Sequence, residues 1–145
     1  MSEAKRLIEE LLLSPHPEGG WYRETWRAEA AADERGDATA ILFLLESHQR
    51  SHWHRIDAAE IWLWHAGDPL VLSLAAGDDG PVREVGLGGD VMAGQAPQYV
   101  IAAEEWQAAA PLPGDHGYAL VSCVVAPAFR FEGFTLAPPG WHPGG

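Results

Sequence analysis

The sequence predicts an all-β domain, with eight or more strands forming an antiparallel sandwich or barrel behind one short helix. Short apolar or alternating segments recur along the chain, and turns rich in Gly, Pro and Asp separate them. The 16 glycines and 11 prolines also favour strands joined by turns over a helical bundle. The 145 residues suffice for one core and contain no linker, so we expect a single domain over residues 1–145.

The first element is expected to be a helix over about residues 2–13. Ser2 is a favourable N-cap, and the apolar residues at positions 7, 8, 11 and 12 would share one helix face. Prolines at positions 15 and 17 end this helix. The segment H16-P-E-G-G20 then predicts a turn, because its paired glycines permit a positive φ.

The barrel itself is expected over about residues 20–136. Its first strand would carry Tyr22 and Glu24 on one face and Arg23 on the other. The predicted strands cover residues 21–27, 39–45, 69–75, 81–87, 98–101, 118–125 and 129–134. Two further short strands are predicted around residues 56–59, one before and one after the turn. Residues 137–145 are rich in Pro and Gly and are predicted to form a loose tail.

The composition restricts the partners and the compartment. With 9 basic against 21 acidic residues and a formal charge of −12, the chain lacks the basic surface that nucleic acids or anionic membranes require. A small-molecule substrate is therefore the expected partner, and no organic cofactor is predicted. Cys123 is the one cysteine, so no intrachain disulfide forms, and the sequence carries no leader or membrane-spanning pattern. We expect a cytoplasmic protein.

The most informative stretch is S51-H-W-H-R-I-D-A-A-E-I-W-L-W-H-A-G67. On a regular strand, His52 and His54 would point the same way and could chelate one metal ion. A returning strand would place Glu60 opposite them, among tryptophans, where a carboxylate needs a partner or has a raised pKa. The stretch thus predicts a metal site or an acid–base site. The alternative is a strand edge with Glu60 solvated or paired with Arg55.

The same spacing resembles the first motif of the cupin superfamily, in which His-x-His is followed by Glu and, six residues later, by Gly. The segment A102-A-E-E-W-Q107 corresponds to the second cupin motif, and Gln107 stands at the position of the fourth metal ligand. A narrower resemblance covers about residues 7–134, through H16-P-E-G-G-W-Y-R-E-T, S51-H-W-H-R-I, E60-I-W-L-W-H-A-G and L120-V-S-C-V-V-A-P-A-F. It is similar to cupin family 5, whose members are labelled predicted sugar epimerases.

The resemblance implies a double-stranded β-helix, the cupin jelly-roll barrel, with a pocket inside its mouth and a homodimeric assembly. It implies two alternative chemistries. In one, a divalent metal (Fe, Mn, Ni or Zn) is held by His52, His54, Glu60 and Gln107. In the other, similar to the metal-free dTDP-dehydrorhamnose epimerases, His54 is the base, Glu60 assists it and Tyr22 is the acid.

Further residues are candidates for substrate binding, each with a plainer structural alternative. Arg23 would suit an anionic group but could equally belong to a surface ion pair. The tryptophans could form a stacking wall or simply fill the core. The complete predicted set is Arg23, Glu24, Ser51, Trp62, Trp64, Tyr99 and Trp106.

Three functions therefore stay open from the sequence. The first is an epimerase or isomerase acting on a carbohydrate-type substrate with a His–Glu acid–base pair. The second is a metal-dependent oxygenase, lyase or isomerase. The third is a small-ligand-binding protein without catalysis.

Overall fold

The computed structural model describes residues 2–145 and confirms the all-β prediction. One α-helix, α1 (Glu3–Glu10), precedes eleven strands. The strands are β1 (Ser14–Pro15), β2 (Trp21–Arg27), β3 (Thr39–Glu46), β4 (Ser51–Ile56), β5 (Ala59–Gly67), β6 (Leu70–Ala75), β7 (Arg83–Leu87), β8 (Gln98–Ile101), β9 (Trp106–Pro111), β10 (Tyr118–Ala126) and β11 (Phe134–Leu136). Neither α1 nor any other helix within residues 2–145 combines the length and the apolar character needed to cross a bilayer.

The strands form two antiparallel sheets that face each other. One has the order β1-β2-β3-β10-β5-β8 and the other β11-β4-β9-β6-β7. Because β4 and β5 are consecutive in the chain but belong to different sheets, residues of S51–G67 reach the interior from opposite walls. This arrangement places His54 and Glu60 in the same interior space.

The core fills one part of the space between the sheets. Phe43, Trp62 and Ile101 are almost fully buried there, together with leucines of β3, β6 and β7. Burial of each such side chain stabilises the fold by roughly 1.5–3 kcal/mol relative to exposure. The rest of the interior is not filled by side chains and contains the pocket described below.

The helix covers the outer face of the first sheet and is shorter than predicted. Ser2 caps it as expected, because its Oγ accepts a hydrogen bond of 3.1 Å from the amide of Lys5. The helix ends at Glu10 rather than near residue 13, since Leu12 adopts a positive φ of 56° that no helix can continue. Leu13 still packs beneath the helix with Ala4.

Two strands, β1 and β9, were not predicted, and one predicted strand has a different structure. β1 is only two residues long. β9, with the sequence WQAAAP, has little intrinsic strand preference, and its pairing with β4 and β6 determines its conformation. In place of the predicted strand 129–134, a single 3₁₀ turn over Phe131–Gly133 leads into β11.

The C-terminal residues pack on the barrel, which contradicts the predicted loose tail. The Trp141 ring lies 4.5 Å from the Trp106 ring and 6.5 Å from the Trp53 ring, measured between centroids. The amide of Gly144 donates to the carbonyl of Asp78 at 2.8 Å. The Pro and Gly content suggested disorder, but one large indole supplies enough apolar contact to hold the segment.

Candidate functional site

A cavity of about 210 Å³ opens into the barrel interior between the two sheets. Its polar side is formed by side chains from the turn before β2 and from β2, β4 and β5. These polar residues are His16, Glu18, Tyr22, His54 and Glu60. Its apolar side consists mainly of Ile41, Ile56, Val125, Phe129, Phe131 and Phe134. A small molecule inside would therefore meet ionisable groups on one side and aromatic rings on the other.

Glu18 and His54 form a buried ionisable pair in this cavity. The Nε2 of His54 lies 3.1 Å from Oε2 of Glu18, and both side chains are buried. The other carboxyl oxygen of Glu18 accepts a 2.8 Å hydrogen bond from Oγ of Ser51, which is fully buried. Both carboxyl oxygens of Glu18 therefore have a partner, Ser51 on one side and His54 on the other.

The glycine turn H16-P-E-G-G20 brings Glu18 against β4. Gly19 has a φ of +112°, and a Cβ at this position would lie 2.1 Å from the carbonyl oxygen of Arg50. Only glycine permits that approach. The amide of His52 donates to the carbonyl of Glu18 at 2.9 Å, which ties the turn to the strand.

The hydrogen bonds also determine which nitrogen of His54 carries a proton. Its Nδ1 lies 2.8 Å from the carbonyl oxygen of His52, and because a carbonyl can only accept, Nδ1 must donate. Nε2 therefore meets Glu18. Burial lowers the pKa of His54 and raises the pKa of Glu18 to about 8. Near neutral pH one proton lies between these two groups, held by Glu18 in the neutral pair.

Glu60 reaches the cavity from the opposite sheet. Its Oε1 accepts a 2.9 Å hydrogen bond from Nε2 of Gln107, whose Oε1 accepts a 3.1 Å hydrogen bond from the indole of Trp62. Since an indole can only donate, the orientation of the Gln107 amide is determined, and so is that of Glu60. Burial raises the pKa of Glu60 to about 7.

His16 completes the polar side. The amide of Glu18 donates to its Nδ1 at 3.1 Å, and its ring contacts the Tyr22 ring edge-on at 4.4 Å between centroids. Burial, together with the nearby His54, lowers the pKa of His16 to about 4. This histidine is therefore neutral at physiological pH.

The predicted metal set is not assembled, which corrects the sequence interpretation of His52. The pairing of β4 with β9 is irregular between Ser51 and His54, so the side chains of 52 and 53 both point outward. The Nε2 of His52 donates to the carbonyl of Pro138 at 3.0 Å. Within residues 2–145, no three His, Cys, Asp or Glu side chains are grouped to hold a metal ion. Glu60 and Gln107 bind each other instead.

Comparison with known proteins agrees with this architecture. The family model Cupin_5, described as Cupin superfamily (DUF985), matches residues 5–137. The chain belongs to this cupin family. No curated protein matches it.

Two solved structures are similar over nearly the whole chain. A protein from Shewanella oneidensis is 36% identical, with a TM-score of 0.85 and coverage of 94% of this cupin and 85% of that chain. A hypothetical protein from Leishmania major is 32% identical, with a TM-score of 0.85 and coverage of 94% and 88%.

Two more distant structures share the fold alone. Oxalate decarboxylase from Bacillus subtilis is 12% identical with a TM-score of 0.61, covering 84% of this cupin but 29% of that chain. CapF is 12% identical with a TM-score of 0.65, covering 86% and 33%. This cupin thus spans about a third or less of either chain.

Several residues predicted from the sequence do lie at the cavity. Tyr22 and Glu24 line it, and Glu24 pairs with Arg27 through a 2.7 Å contact. Ser51 supports the site through Glu18 rather than by facing the cavity. His54 and Glu60 both line it, but the group within hydrogen-bonding distance of His54 is Glu18.

Five other predicted residues lie outside the cavity lining. The guanidinium of Arg23 donates to the carbonyl of Leu11 at 2.8 Å, on the helix side of the sheet. The other four are aromatic residues that pack in the core or make hydrogen bonds away from the cavity. For the tryptophans, a place in the core was the alternative to a stacking wall. Trp62 bonds Gln107, Trp64 bonds the carbonyl of Asp68, Tyr99 bonds Arg83 and Trp106 bonds Asp78.

The sequence interpretation overlooked Glu18, which is the central finding at this site. The sequence predicted the turn H16-P-E-G-G20 from its glycines and assigned neither His16 nor Glu18 to the site. A carboxylate between Pro and two glycines was the available signal, since such a turn holds its side chain in one direction. The aromatic residues 129, 131 and 134 were interpreted only as strand residues.

Proposed function

We propose that this cupin is an isomerase or epimerase that moves a proton at a carbon next to a carbonyl group, on a small hydroxycarbonyl substrate of carbohydrate type. The observation that carries the proposal is the buried contact of 3.1 Å between Nε2 of His54 and Oε2 of Glu18 in the cavity. A buried base with a fixed tautomer and a neighbouring proton acceptor suits the removal of a weakly acidic C–H proton.

The two walls of the barrel support transfer between opposite faces of a substrate. His54 lies on β4 in one sheet and Glu60 on β5 in the other. Epimerisation requires removal of a proton from one face and delivery to the other. With its pKa raised to about 7, Glu60 exchanges protons readily at neutral pH, which is the condition that general acid–base catalysis favours.

In this proposal each polar residue has a stated task. When Glu18 is ionised, Nε2 of neutral His54 accepts the substrate proton, and the Glu18 carboxylate stabilises the imidazolium that forms. After Glu60 has given its own proton to the opposite face, His54 loses its proton to solvent and Glu60 regains one, which restores both groups. Glu60 delivers a proton from the opposite wall and is kept in position by Gln107. Tyr22, at the same cavity, is the group available to donate a hydrogen bond to the developing oxyanion. The metal-dependent alternative receives no support from the outward His52.

Solvent exchange tests the proposal. Neutral hydroxycarbonyl compounds such as dihydroxyacetone, glyceraldehyde and 2-hydroxyacetophenone are incubated with the protein in D₂O, and deuterium at the α-carbon is followed by NMR. We expect enzyme-dependent labelling, reduced by about 10²–10⁴-fold in His54→Asn. His52→Gln is the matched control, because that ring lies outside the cavity, and it should retain the wild-type rate. Equal loss in both variants, or labelling that His54→Asn leaves unchanged, contradicts the proposal.

A further inference from the structure

We propose that the substrate carries an uncharged, apolar arm of about the size of a phenyl ring, and that phosphorylated, carboxylated or nucleotide-linked compounds are excluded. The inference deepens the proposed function and rests on it for the carbonyl half of the molecule. It is carried by the aromatic side of the cavity and by the pairing of every arginine around it.

The aromatic side is a wall of three phenylalanines: Phe129, Phe131 and Phe134. Their rings contact one another edge to face, at centroid distances of 5.1, 5.9 and 6.4 Å. Phe134 also lies 5.5 Å from the ring of His54. A substrate that places its reacting carbon at His54 would therefore extend any further group along these rings.

Phe131 is the member of the wall that a ligand would cover. It is 61% exposed although it lines the cavity, whereas Ile56 and Val125 behind the wall are buried. An exposed aromatic ring at a cavity mouth gains most when an apolar group displaces the water on it. A compact polyhydroxylated sugar would leave the Phe131 ring exposed to water.

The cavity offers no free positive charge to an anion, among the residues that the structure describes. Arg27 is its one arginine, and each of its three guanidinium nitrogens donates a hydrogen bond within the protein. Nε and Nη2 donate to the carboxylate of Glu24 at 3.2 and 2.7 Å, and Nη1 donates to the carbonyl of Phe129 at 3.0 Å. Arg23, which could have served a phosphate, donates to the carbonyl of Leu11 on the helix side instead.

The arginines beside the mouth are also paired. Arg35 and Arg130 both donate to Asp57, with shortest contacts of 2.7 and 2.9 Å. Arg35 donates in addition to the carbonyl of Ala128 at 2.8 Å. These bonds hold residues 128–130 next to the aromatic wall and direct both guanidinium groups to Asp57, outside the cavity lining.

The remaining ionisable groups in the cavity oppose an anion. Glu18 and Glu60 are carboxyls, and the two histidines beside them are neutral at physiological pH because burial lowers their pKa values. A phosphate or carboxylate placed among them would lose its hydration in a poorly solvated space without meeting a positive charge from these groups. The chain as a whole carries a formal charge of −12, which disfavours the approach of anions as well.

Equilibrium binding to the intact protein tests the inference, measured by ligand-observed NMR and calorimetry with four probes. 2-Hydroxyacetophenone is neutral with a phenyl arm, benzoylformate is its carboxylate counterpart, dihydroxyacetone lacks the arm, and dTDP-glucose is nucleotide-linked. We expect 2-hydroxyacetophenone to bind more tightly than the other three, by roughly tenfold or more.

Phe131→Ser should weaken its binding by about threefold to tenfold, because one ring contact is lost. Trp26→Ser, which removes an exposed aromatic ring outside the cavity, is the matched control and should bind as the wild type does. The inference is overturned if benzoylformate or dTDP-glucose binds as tightly as 2-hydroxyacetophenone, if Phe131→Ser has no effect, or if the neutral aromatic probe fails to bind at millimolar concentration. Binding without deuterium exchange would instead overturn only the proposed function, and exchange confined to anionic substrates would overturn only this inference.

Discussion

Replacing Glu18 by Gln should remove a specific pH dependence from the stability of the fold. The amide has almost the same shape as the carboxyl group. It can still accept the hydrogen bond from Ser51 and donate to Nε2 of His54, so the geometry of the turn is preserved. What is lost is one ionisable group whose pKa burial raises from 4.5 to about 8 in the folded protein.

The sign of the effect follows from proton binding. Between pH 6.5 and 8.5 the unfolded chain has already lost the Glu18 proton, whereas the folded protein keeps it until the pH passes about 8. The folded state binds more protons, so the free energy of unfolding falls as the pH rises. Over that interval, the free energy of unfolding of the wild type should fall by about 2 kcal/mol more than that of Glu18→Gln.

Urea unfolding followed by tryptophan fluorescence at several pH values and constant ionic strength measures the difference. His16, His54, Glu60 and Cys123 are common to both proteins, so comparing the two proteins largely removes their contributions. Glu29→Gln, at an exposed glutamate, is the matched control and should parallel the wild type. If Glu18→Gln loses stability with pH as steeply as the wild type does, Glu18 is not held protonated in the fold and the reasoning about the shared proton fails.

Two further substitutions test how the site and the C-terminal segment are held. Gly19→Ala should destabilise the fold by about 1–3 kcal/mol and slow the deuterium exchange, because the added Cβ would lie 2.1 Å from the carbonyl oxygen of Arg50. Gly77→Ala is the control, since a Cβ at that position would have no atom within 4 Å, and it should change neither the stability nor the exchange rate. Trp141→Ala should lower the free energy of unfolding by about 1–3 kcal/mol in urea titrations, because Trp141 packs on Trp106. An unchanged unfolding midpoint would show that the C-terminal segment contributes nothing to stability.

Much of the fold was predictable because its signals are local. Strand periodicity and glycine- or proline-rich turns located eight of the eleven strands in residues 2–145, and Ser2 marked the start of the helix. The last strand, β11, begins only where the predicted strand 129–134 ends. The two missed strands lacked such signals. β1 has two residues, and half of β9 is alanine, so its extended conformation depends on neighbours from distant parts of the chain.

The site was predictable only in part, for the same reason. The spacing of His54 and Glu60 pointed correctly to the cavity, since a chain that reverses between two sheets brings both residues inside. The same spacing predicted that His52 would join them. That prediction was wrong because the irregular pairing within β4 turns two successive side chains outward, and alternation along a strand cannot reveal such a bulge.

The amino-acid sequence by itself determined the fold class, the cupin resemblance and the region that holds the cavity, because these depend on residue type and on spacing along the chain. The tertiary structure decided which groups share a proton. Glu18 meets Ser51 across 33 positions of sequence, and only the approach of a glycine turn to β4 brings it to His54. Burial then raises the pKa of Glu18 and lowers that of His54, and burial is a property of the packed barrel rather than of any segment.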